Sequence, residues 1–394
     1  MRNAEFTIPD ERPGLISTTE RTLNRTQNKN REPNEEPRTI GTPRLTAVLQ
    51  VDPREPDPAA IARAATCLRD GGLVAFPTET VYGLGVHALD RAAVQRLFAA
   101  KGRPATDPLI VHVSSLADMA RLVDRIPDAV DTLARLFWPG PLTLVMPRSS
   151  AVPDEVTATL ATVAIRVPAH PVARALLREA AIPVAAPSAN LFSRPSPTQA
   201  SHVLEDLDGR IDLILDGGAT TIGVESTVLD LSGDVPVILR PGGVTLDALR
   251  TVLPDVRTSQ VTGGDGPMRS PGLLEKHYSP RAPLTLYVGE GEAPLRRLRA
   301  DVERLIREGV GRIGVLVASE DREQLPGESA LVVIDLGPRQ HLEIIAARLY
   351  AAMRQLDHAG VDLILAVDID AADGLGAAIR DRLTRAAAGR LVHV

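Results

Sequence analysis

The sequence predicts an α/β protein with two domains, and three observations support this prediction. Apolar runs of strand length alternate with amphipathic segments of helix length from Leu45 almost to the C-terminus, a pattern typical of α/β folds. One segment, residues 257–283, interrupts the alternation because it is rich in glycine and proline and has no hydrophobic period. The chain has 394 residues, of which 44% are apolar, and this length is enough for about two domains.

We expect four regions along the chain. Residues 1–45 combine charged residues, Asn, Thr and Pro with few apolar residues, so they are expected to form a disordered tail. Residues 46–256 are expected to fold as a mixed, twisted α/β domain, and residues 284–394 as a smaller, doubly wound α/β domain. Residues 257–283 join the two domains, and their length is more typical of a functional loop than of a simple connection.

In the first domain, apolar runs predict strands and periodic segments predict helices. The predicted strands are "LVAF", "LIVHV", "LTLVM", "VAIRVP", "IPVAAPSAN", "IDLILDGG", "STVLDL" and "PVILRPGG". The predicted helices lie at Ala60–Leu68, at "DRAAVQRLFAAK", around residues 116–137 and at "PVARALLREA". Asp90 is a suitable cap for the helix that begins at Arg91, because its carboxylate can accept hydrogen bonds from unpaired backbone N–H groups.

The second domain repeats the alternation in a shorter form. Its predicted strands are "LTLYV", "RIGVLVA", "ALVVIDL" and "LILAVDI". One helix is predicted between the first two of these strands and one between the last two, and a last helix is predicted at Ala377–Ala388.

The composition argues against several classes of protein. A formal net charge of −6 is unlike a general nucleic-acid binder, which usually has a basic face. No apolar run reaches the roughly 18 residues needed to span a membrane, and the first thirty residues lack the apolar core of a signal peptide. We therefore expect a cytoplasmic protein with no membrane partner. Cys67 is the only cysteine, which excludes an internal disulfide and a metal site made of cysteines alone.

Common catalytic and nucleotide-binding motifs are absent from the sequence. It has no Walker loop, no His-Glu-x-x-His, no Gly-x-Ser-x-Gly and no Cys-x-x-Cys. A loose dinucleotide fingerprint, Gly83-x-Gly85-x-x-Ala88, is a weak match because the glycines should follow a strand directly and here seven residues, 77–83, intervene. A second match at residues 309–314 precedes an apolar run instead of following one, and is interpreted as a plain turn.

Polar side chains cluster where predicted strands end. Pro77 ends the strand "LVAF", and it is followed by Thr78, Glu79, Thr80 and Tyr82. Such side chains are costly at the end of a buried strand unless they contact a partner or a ligand, and open α/β sheets bind ligands at strand ends. Similar clusters are Lys101, Arg103 and Asp107; His112; Arg166; Ser188 and Asn190; Glu225, Ser226 and Thr227; and Arg240. Basic residues and hydroxyls with little acid predict a site that binds oxyanions.

Rare residue types fall inside these clusters. Only three of the 44 basic residues are lysines, and two of them, Lys101 in "KGRP" and Lys276 in "EKHY", lie in short polar motifs. A compact ammonium can contact a phosphate or carboxylate as a point charge in a way that a planar guanidinium cannot. Beyond residue 34 the only asparagine is Asn190. These exceptions favour a functional interpretation of both motifs.

Each cluster taken alone also has a purely structural interpretation. Lys101 and Arg103 suit the C-terminal end of a helix, and a single histidine such as His112 in an apolar strand is more often a core residue than a ligand. Ser188 and Asn190 are good turn formers. The functional interpretation is favoured by the sum, because six or more motifs of one chemical character all lie at predicted strand ends.

The motifs together resemble the YrdC-type threonylcarbamoyl-AMP synthases, in the long form with a second C-terminal domain. The similar segments are "FPTETVYGLG", "KGRPATDPLIVHV", "WPGPLTLVM", "AIRVP", "APSAN", "ESTVLDL", "LRPGG" and "SPGLLEKHYSP". They span about residues 46–394. The resemblance implies a YrdC-like catalytic domain followed by a Rossmann-like domain. It also implies synthesis of threonylcarbamoyl adenylate and pyrophosphate from L-threonine, bicarbonate and ATP, the first step of threonylcarbamoyladenosine formation at position 37 of tRNA. A downstream partner would then transfer the group to tRNA.

The resemblance also implies roles for individual residues. The residues matching threonine contacts are Thr80, His112, Arg166, Ala186 and Ser226. The catalytic pair facing the reactant carboxylate and phosphates is Lys101 and Arg103. The residues matching nucleotide contacts are Arg103, Asp107, Thr162, Ser188, Asn190, Ser196, Arg240 and Tyr278. Mg2+ is expected as a cofactor carried by ATP, with no direct protein ligand. Asp107 stands where many relatives have asparagine, so its role is open.

Three hypotheses remain to be tested against the structure. The connecting segment is interpreted as a lid, in which Lys276, His277 and Tyr278 cover the nucleotide and exclude water. A carbamoyltransferase that uses a carbamoyl adenylate would share the same core, but would ordinarily carry Cys-rich segments that this chain lacks. A double-stranded RNA-binding module is the non-enzymatic alternative.

Overall fold

The computed structural model describes residues 45–259, 277–369 and 374–394. These residues form two sheets, one of eleven strands and one of five. The predicted fold class, a mixed α/β domain followed by a smaller α/β domain, is confirmed. The predicted tail, apart from Leu45, and most of the predicted connecting segment lie outside the described residues.

The first domain consists of the strands of the large sheet and the helices that connect them. They are β1 Ala47–Gln50, α1 Pro58–Arg69, β2 Val74–Pro77, β3 Tyr82–His87, α2 Arg91–Lys101, β4 Ile110–His112, α3 Leu116–Met119, α4 Ala129–Phe137, β5 Leu142–Pro147, α5 Asp154–Thr157, β6 Thr162–Arg166, α6 Pro171–Ala180, β7 Val184–Ala185, α7 Ala200–Leu207, β8 Leu213–Asp216, β9 Thr227–Asp230, β10 Val237–Arg240, α8 Leu246–Arg250 and β11 Arg257–Thr258.

Helix α2 shows how local sequence sets an element. The Asp90 carboxylate accepts hydrogen bonds from the backbone N–H groups of Ala92 and Ala93, so the predicted cap is confirmed. The helix ends at Gly102, whose φ of 62° is left-handed and is reached without strain because glycine has no Cβ. Lys101 is therefore the last helical residue, and the turn at Gly102 redirects the chain toward Arg103.

The order of strands in the large sheet brings distant motifs together. The order is β1-β8-β2-β3-β7-β4-β6-β5-β9-β10-β11. Strands β4 and β6 are parallel neighbours, and their register pairs His112 with Arg166. Strands β9 and β10 are antiparallel, with Val228 paired to Arg240. Ser226, just before β9, therefore lies beside the end of β10.

The hairpin of β2 and β3 differs from the sequence prediction. The sequence predicts no strand between "LVAF" and the helix that begins at Arg91, but Tyr82–His87 is a strand that pairs antiparallel with β2. Gly85 explains the difference, because a Cβ there would lie 2.8 Å from the Phe76 ring and 2.9 Å from Val184. Glycine is a weak strand former in general, but here it allows close packing of the strand.

Three further strands of the described chain were not predicted, namely β1, β11 and the last strand of the second sheet. Each lies at the edge of its sheet. Edge strands are short and partly exposed, so they lack a clear apolar run. Residues 257 and 258, assigned from sequence to the connecting segment, pair with β10 as β11, so the first sheet extends slightly past its predicted end.

The C-terminal domain is built on the five-stranded sheet. Its elements are β12 Leu284–Val288, α9 Ala293–Arg307, β13 Ile313–Val317, α10 Ser319–Arg322, β14 Leu331–Asp335, α11 Leu342–His358, β15 Leu363–Val367, α12 Gly374–Ala387 and β16 Leu391–His393. The strand order is β14-β13-β15-β12-β16, and every pair is parallel. Parallel strands joined by helices give the predicted doubly wound arrangement.

The two domains share one hydrophobic cluster. Val81 and Val224 of the first domain pack in the same buried cluster as Leu349 and Tyr350 of α11. Burying apolar surface across this boundary stabilises the contact between the domains by about 25 cal/mol per Å2. Among the helices of the described ranges, none is long and apolar enough to cross a membrane.

Candidate active site

A narrow cavity opens at the strand ends of the first domain, where the polar motifs converge. Its lining combines arginine side chains, hydroxyl groups and a few apolar residues. The lining residues are Thr78, Thr80, Val81, Gly83, Arg103, Ile110, His112, Arg166, Ala186, Pro187, Ser188, Glu225, Ser226, Arg240, His277 and Tyr278.

The turn between β2 and β3 forms one wall of the cavity. Thr78 Oγ1 donates to the carbonyl oxygen of Val81 at 2.6 Å and accepts from the backbone N–H of Thr80 and of Val81. The hydroxyl oxygens of Thr78 and Thr80 lie 2.8 Å apart. The turn is thus held by its own threonines, and it presents the Thr80 hydroxyl to the cavity.

Arg166 enters the cavity from the end of β6 and is held from three directions. Its Nη2 donates to Glu79 Oε1 at 2.6 Å, its Nη1 to Thr80 Oγ1 at 3.0 Å and its Nε to the Gly140 carbonyl at 3.2 Å. Burial raises the pKa of Glu79, but the charge and hydrogen bond of Arg166 outweigh burial and lower the pKa below its usual value. The buried pair is therefore ionised and fixes the guanidinium.

His112 lies beside Arg166 at the end of β4 and is buried. Burial, with a further contribution from the positive charge of Arg166, lowers the pKa of His112 to about 3. The ring is therefore neutral at physiological pH and can donate one hydrogen bond and accept another. The Phe76 ring packs edge-on against the His112 ring, with 6.3 Å between the two ring centroids.

Lys101 contacts the active-site loop rather than the cavity itself. Its Nζ donates to the carbonyl oxygen of Ser188 at 2.5 Å and to that of Asn190. The side chain is 1% exposed, and burial, followed by the nearby charge of Arg103, lowers the pKa of Lys101 well below its ordinary value. In this structure the lysine ties the end of α2 to the "APSAN" loop.

Arg103 and Asp107 form a buried ion pair at 2.9 Å. Arg103 Nε and Nη2 also donate to the carbonyl oxygens of Asp107 and Pro108, whereas Nη1 has no hydrogen bond within the described part of the chain. Burial raises the pKa of Asp107 although Arg103 opposes the rise. Asp107 thus faces a guanidinium, which gives the unexpected carboxylate a positioning role toward Arg103.

Ser226 and Arg240 form a second polar group on the far wall. Arg240 donates to the Ser226 carbonyl from Nε at 3.2 Å and from Nη2 at 3.0 Å, and Nη2 also lies 3.3 Å from Ser226 Oγ. Ser226 Oγ is 2.8 Å from Thr143 Oγ1. Gly242 allows this approach, because a Cβ there would lie 2.3 Å from the backbone of Glu225 and of Thr227.

Glu225 is a buried carboxylate with hydrogen-bond partners in both domains. It accepts hydrogen bonds from Ser196 Oγ at 2.5 Å, from the Tyr350 hydroxyl at 2.9 Å and from Arg382 Nε at 2.8 Å. Burial would raise the pKa of Glu225, but Arg382, Arg240 and the Ser196 hydroxyl lower it to about 2. The "ESTV" motif marked Glu225, but no sequence signal marked its partners in α11 and α12.

Two residues near the end of the connecting segment, His277 and Tyr278, line the cavity. His277 and Tyr278 are both buried, with ring centroids 4.1 Å apart. Tyr278 also lies 5.5 Å from the Tyr350 ring and beneath the Arg382 guanidinium at 5.3 Å. Burial, together with Arg103, lowers the pKa of His277 to about 3, so this ring is neutral. Lys276, the third residue of the predicted lid, lies outside the described residues.

The structure brings most of the predicted site residues together. Thr80, Arg103, His112, Arg166, Ala186, Ser188, Ser226, Arg240 and Tyr278 line the cavity. Four predicted residues do not line the cavity, namely Lys101, Asp107, Asn190 and Ser196. Each of them contacts a residue that lines the cavity or lies next to it, through its side chain or its backbone. Thr162 is the exception, because it begins β6 at the opposite end from Arg166 and lies by a small hollow with Leu160 and Pro108. Its predicted ATP contact gains no support from this placement.

The donor set of the cavity suits anions better than a protein-bound metal. In the ranges that the structure describes, no group of three or more His, Cys, Asp or Glu residues could hold a metal ion. Glu225, which lines the cavity, and Glu79 and Asp107, which contact lining residues, are already paired with arginines. The buried Oδ1 of Asn190 has no partner within the described chain, so it could accept from water bound to a metal that a phosphate ligand carries.

Two family models match the chain. The model described as "Telomere recombination" matches residues 66–242, and the model described as "Threonylcarbamoyl-AMP synthase, C-terminal domain" matches residues 244–388. Together they cover most of both domains.

Curated relatives match over both domains as well. The threonylcarbamoyl-AMP synthase of Bacillus subtilis is 45% identical over 338 residues, which cover 84% of this chain and 94% of the relative. The threonylcarbamoyl-AMP synthase of Pyrococcus abyssi is 44% identical over 337 residues, which cover 84% of this chain and 95% of the relative.

A solved structure confirms the fold. The crystal structure of P. abyssi Sua5 complexed with L-threonine has a TM-score of 0.82 and 42% identity to this chain, with 89% of this chain and 100% of that chain covered. The resemblance inferred from the motifs is confirmed, and the enzymatic class is favoured over an RNA-binding module. The chain therefore belongs to the threonylcarbamoyl-AMP synthase family of enzymes, in its long, two-domain Sua5 form.

Proposed function

We propose that this chain makes L-threonylcarbamoyl adenylate and pyrophosphate from L-threonine, bicarbonate and ATP, as the first step of tRNA threonylcarbamoyladenosine formation. The observation that carries the proposal is the convergence of three arginines, Arg103, Arg166 and Arg240, with several hydroxyls and a neutral histidine around one cavity. All three substrates carry anionic groups, and such a cavity offers them cations and oriented donors.

Threonine is proposed to bind between β4, β6 and the Thr78–Val81 turn. Arg166 is fixed by Glu79 and would bind the carboxylate, while the Thr80 hydroxyl and the neutral His112 ring would bind the other polar groups. Ser226 would meet the hydroxyl of threonine. Valine lacks this hydroxyl and would leave the buried Ser226 without that partner, and sites of this kind discriminate more strongly than a pocket that only loses one methyl contact.

The triphosphate is proposed to bind on the side of Arg103, Ser188 and Arg240. Arg103 is held by Asp107 and leaves Nη1 to contact phosphate or carboxylate oxygens. Mg2+ is proposed to arrive with ATP, and when bound it would neutralise part of the phosphate charge. Asn190 would contact its hydration shell, whereas Lys101 would support this region by fixing the Asn190 and Ser188 carbonyls.

The chemistry needs no covalent intermediate with the protein. The amine of threonine combines with bicarbonate, releases water and becomes an N-carboxylate. An oxygen of this carboxylate then forms a bond to the α-phosphorus of ATP, and the bond to the pyrophosphate leaving group breaks. Positioning alone can lower such a barrier by roughly 7 to 11 kcal/mol. His277 and Tyr278 are proposed to cover the reactants and limit hydrolysis of the adenylate.

The product is a reactive mixed anhydride, so a partner must consume it. We propose that tRNA threonylcarbamoyl-transfer machinery accepts the group, and that synthesis takes place in the cytoplasm, where the substrates and tRNA are available. The support is the family membership together with the single cysteine of the sequence.

Pyrophosphate release tests this proposal directly. Purified protein with ATP and Mg2+ should release pyrophosphate only when both L-threonine and bicarbonate are present, and chromatography should show threonylcarbamoyl adenylate. Matched reactions omit one substrate at a time or replace L-threonine with L-valine. Release that does not depend on threonine would refute the proposed function.

A further inference from the structure

The segment Gly223–Ser226 lies between the cavity and the C-terminal domain. At its start, Gly223 has a φ of 80°, and a Cβ there would lie 2.4 Å from Ala346 O and 2.4 Å from Ala347 Cα of α11. The backbone of α11 therefore packs directly on this segment. At its other end, Ser226 lines the cavity. Four residues thus connect the C-terminal domain to the proposed threonine site.

The middle of the segment is held by side chains of the C-terminal domain. Tyr350 donates to both carboxylate oxygens of Glu225, at 3.2 and 2.9 Å, and Arg382 Nε donates to Oε2 at 2.8 Å. The side chain of Arg382 is 0% exposed and that of Glu225 is 9% exposed, so water does not compete strongly for this pair. A buried charge without a partner is costly. The pair therefore favours the one geometry in which both partners stay in contact.

The segment, together with the residue before it, also holds the turn that presents Thr80. The backbone N–H of Gly223 donates to the Thr80 carbonyl at 3.1 Å, and that of Ile222 donates to the Glu79 carbonyl at 2.8 Å. Displacing the segment would therefore disturb Thr80 and Ser226 together. Both are residues that the proposed function assigns to threonine binding.

The same two side chains contact Tyr278. The Arg382 guanidinium carbon lies 5.3 Å from the centre of the Tyr278 ring, and the Tyr350 ring lies 5.5 Å from it. A cation over an aromatic face and a neighbouring ring both favour one ring position. Arg382 and Tyr350 therefore contact two walls of the cavity without lining it.

We propose that Arg382 and Tyr350 are positioning residues of the active site, which act from the C-terminal domain through Glu225 to fix Ser226 and the Thr80 turn for threonine binding. This inference rests on the proposed function in assigning threonine to these groups. It gives the C-terminal domain a task in this enzyme, which is to complete the shape of a site whose lining comes from the first domain and the connecting segment.

The test compares L-threonine binding by calorimetry and steady-state kinetics in the full-length protein and its variants. Arg382→Met should weaken threonine binding about tenfold to a hundredfold, the range expected when a hydrogen bond to a charged group is lost. Arg382→Lys keeps the charge and should recover part of this affinity. Tyr350→Phe keeps the ring against Tyr278 and should weaken binding about fivefold.

Arg354→Met is the matched control. Arg354, in α11, is a buried arginine like Arg382 and also contacts the first domain. Its partners, however, are Glu205 and Asp206 of α7 and not Glu225. This control should lower the melting temperature and leave the threonine dissociation constant within about twofold. Equal weakening of threonine binding by Arg354→Met and Arg382→Met would overturn the proposal, because both would then report general loosening of the domains.

A double-mutant cycle identifies the route of the effect. If Arg382 acts through Glu225, then Arg382→Met and Glu225→Gln together should weaken binding little more than either change alone. Additive losses, or wild-type affinity in Arg382→Met and Tyr350→Phe, would refute the inference.

Wild-type protein that binds threonine but makes no adenylate would refute the proposed function and leave this inference to be decided by the affinities. Wild-type protein that does not bind threonine would refute both.

Discussion

Two buried glutamates beside the cavity are held in different ways. Glu79 pairs with Arg166 at the end of β6, and both residues belong to the first domain. Glu225 pairs with Arg382 and Tyr350, and both of these partners belong to the C-terminal domain. One wall of the cavity is thus completed within a single sheet, whereas the other is completed only when two domains meet. The difference teaches that domain docking is part of site construction here.

The largest expected effect concerns the stability that the Glu225 pairs contribute. The pKa of Glu225 is about 2, against an ordinary value of 4.5, so the ionised form stabilises the fold above about pH 4.5 and this stabilisation is lost as pH falls toward 2. The shift corresponds to about 3 kcal/mol at neutral pH. The difference in free energy of unfolding between wild type and Glu225→Gln should therefore shrink between pH 4.5 and 2.

Urea unfolding at several pH values measures this difference. Glu308→Gln serves as the control, because the Glu308 side chain is 51% exposed in its pair with Arg304, and surface pairs contribute little. A difference between wild type and Glu225→Gln that stays constant from pH 6 to pH 2 would show that the interdomain pairs do not stabilise the fold as described.

The next effect tests contacts behind the cavity that are made within the first domain alone. Lys101→Arg keeps the charge, but the larger planar group cannot occupy the space of the ammonium between the Ser188 and Asn190 carbonyls. Turnover should fall about a hundredfold, the scale of loss expected when reacting groups are misplaced by roughly 1 Å. Arg96→Lys on the same helix, at a side chain that is 50% exposed, should leave turnover unchanged. An arginine variant with a wild-type rate would show that Lys101 has no part in the site.

The smallest effect tests the connecting segment between the domains. Tyr278→Ala removes a ring that packs on Tyr350 and Arg382, so water should reach the adenylate more easily. The ratio of AMP to intact adenylate should rise about three- to tenfold, as read by chromatography. Tyr278→Phe keeps the ring and should preserve the wild-type ratio. An unchanged ratio in the alanine variant would contradict the lid hypothesis.

The sequence predicted the single-domain wall better than the interdomain one, for a physical reason. Strand ends place polar residues in short, contiguous motifs, so Thr80, His112 and Arg166 were visible as unusual side chains after apolar runs. Tyr350 and Arg382 lie within amphipathic helices, where a tyrosine or an arginine is ordinary. Their role depends on a contact between domains, and no local pattern encodes it.

Two other differences have similar causes. Strand β3 was missed because its glycines are weak strand formers, whereas the close packing of Gly85 against Phe76 and Val184 is visible only in three dimensions. The sequence leaves the role of Asp107 open, because its ion pair with Arg103 depends on how the loop after α2 folds back. Propensity and motif patterns describe neighbours in sequence, whereas these features depend on neighbours in space.

Gly223 has a consequence for exchanging parts between enzymes of this family. A methyl group at this position would lie 2.4 Å from backbone atoms of α11. The fit between the two halves therefore leaves no room for a side chain at this point. A chimaera that takes its C-terminal half from a relative would need that relative's fit at this point as well. Close packing at one glycine thus constrains how the two halves can be recombined, although each has its own sheet.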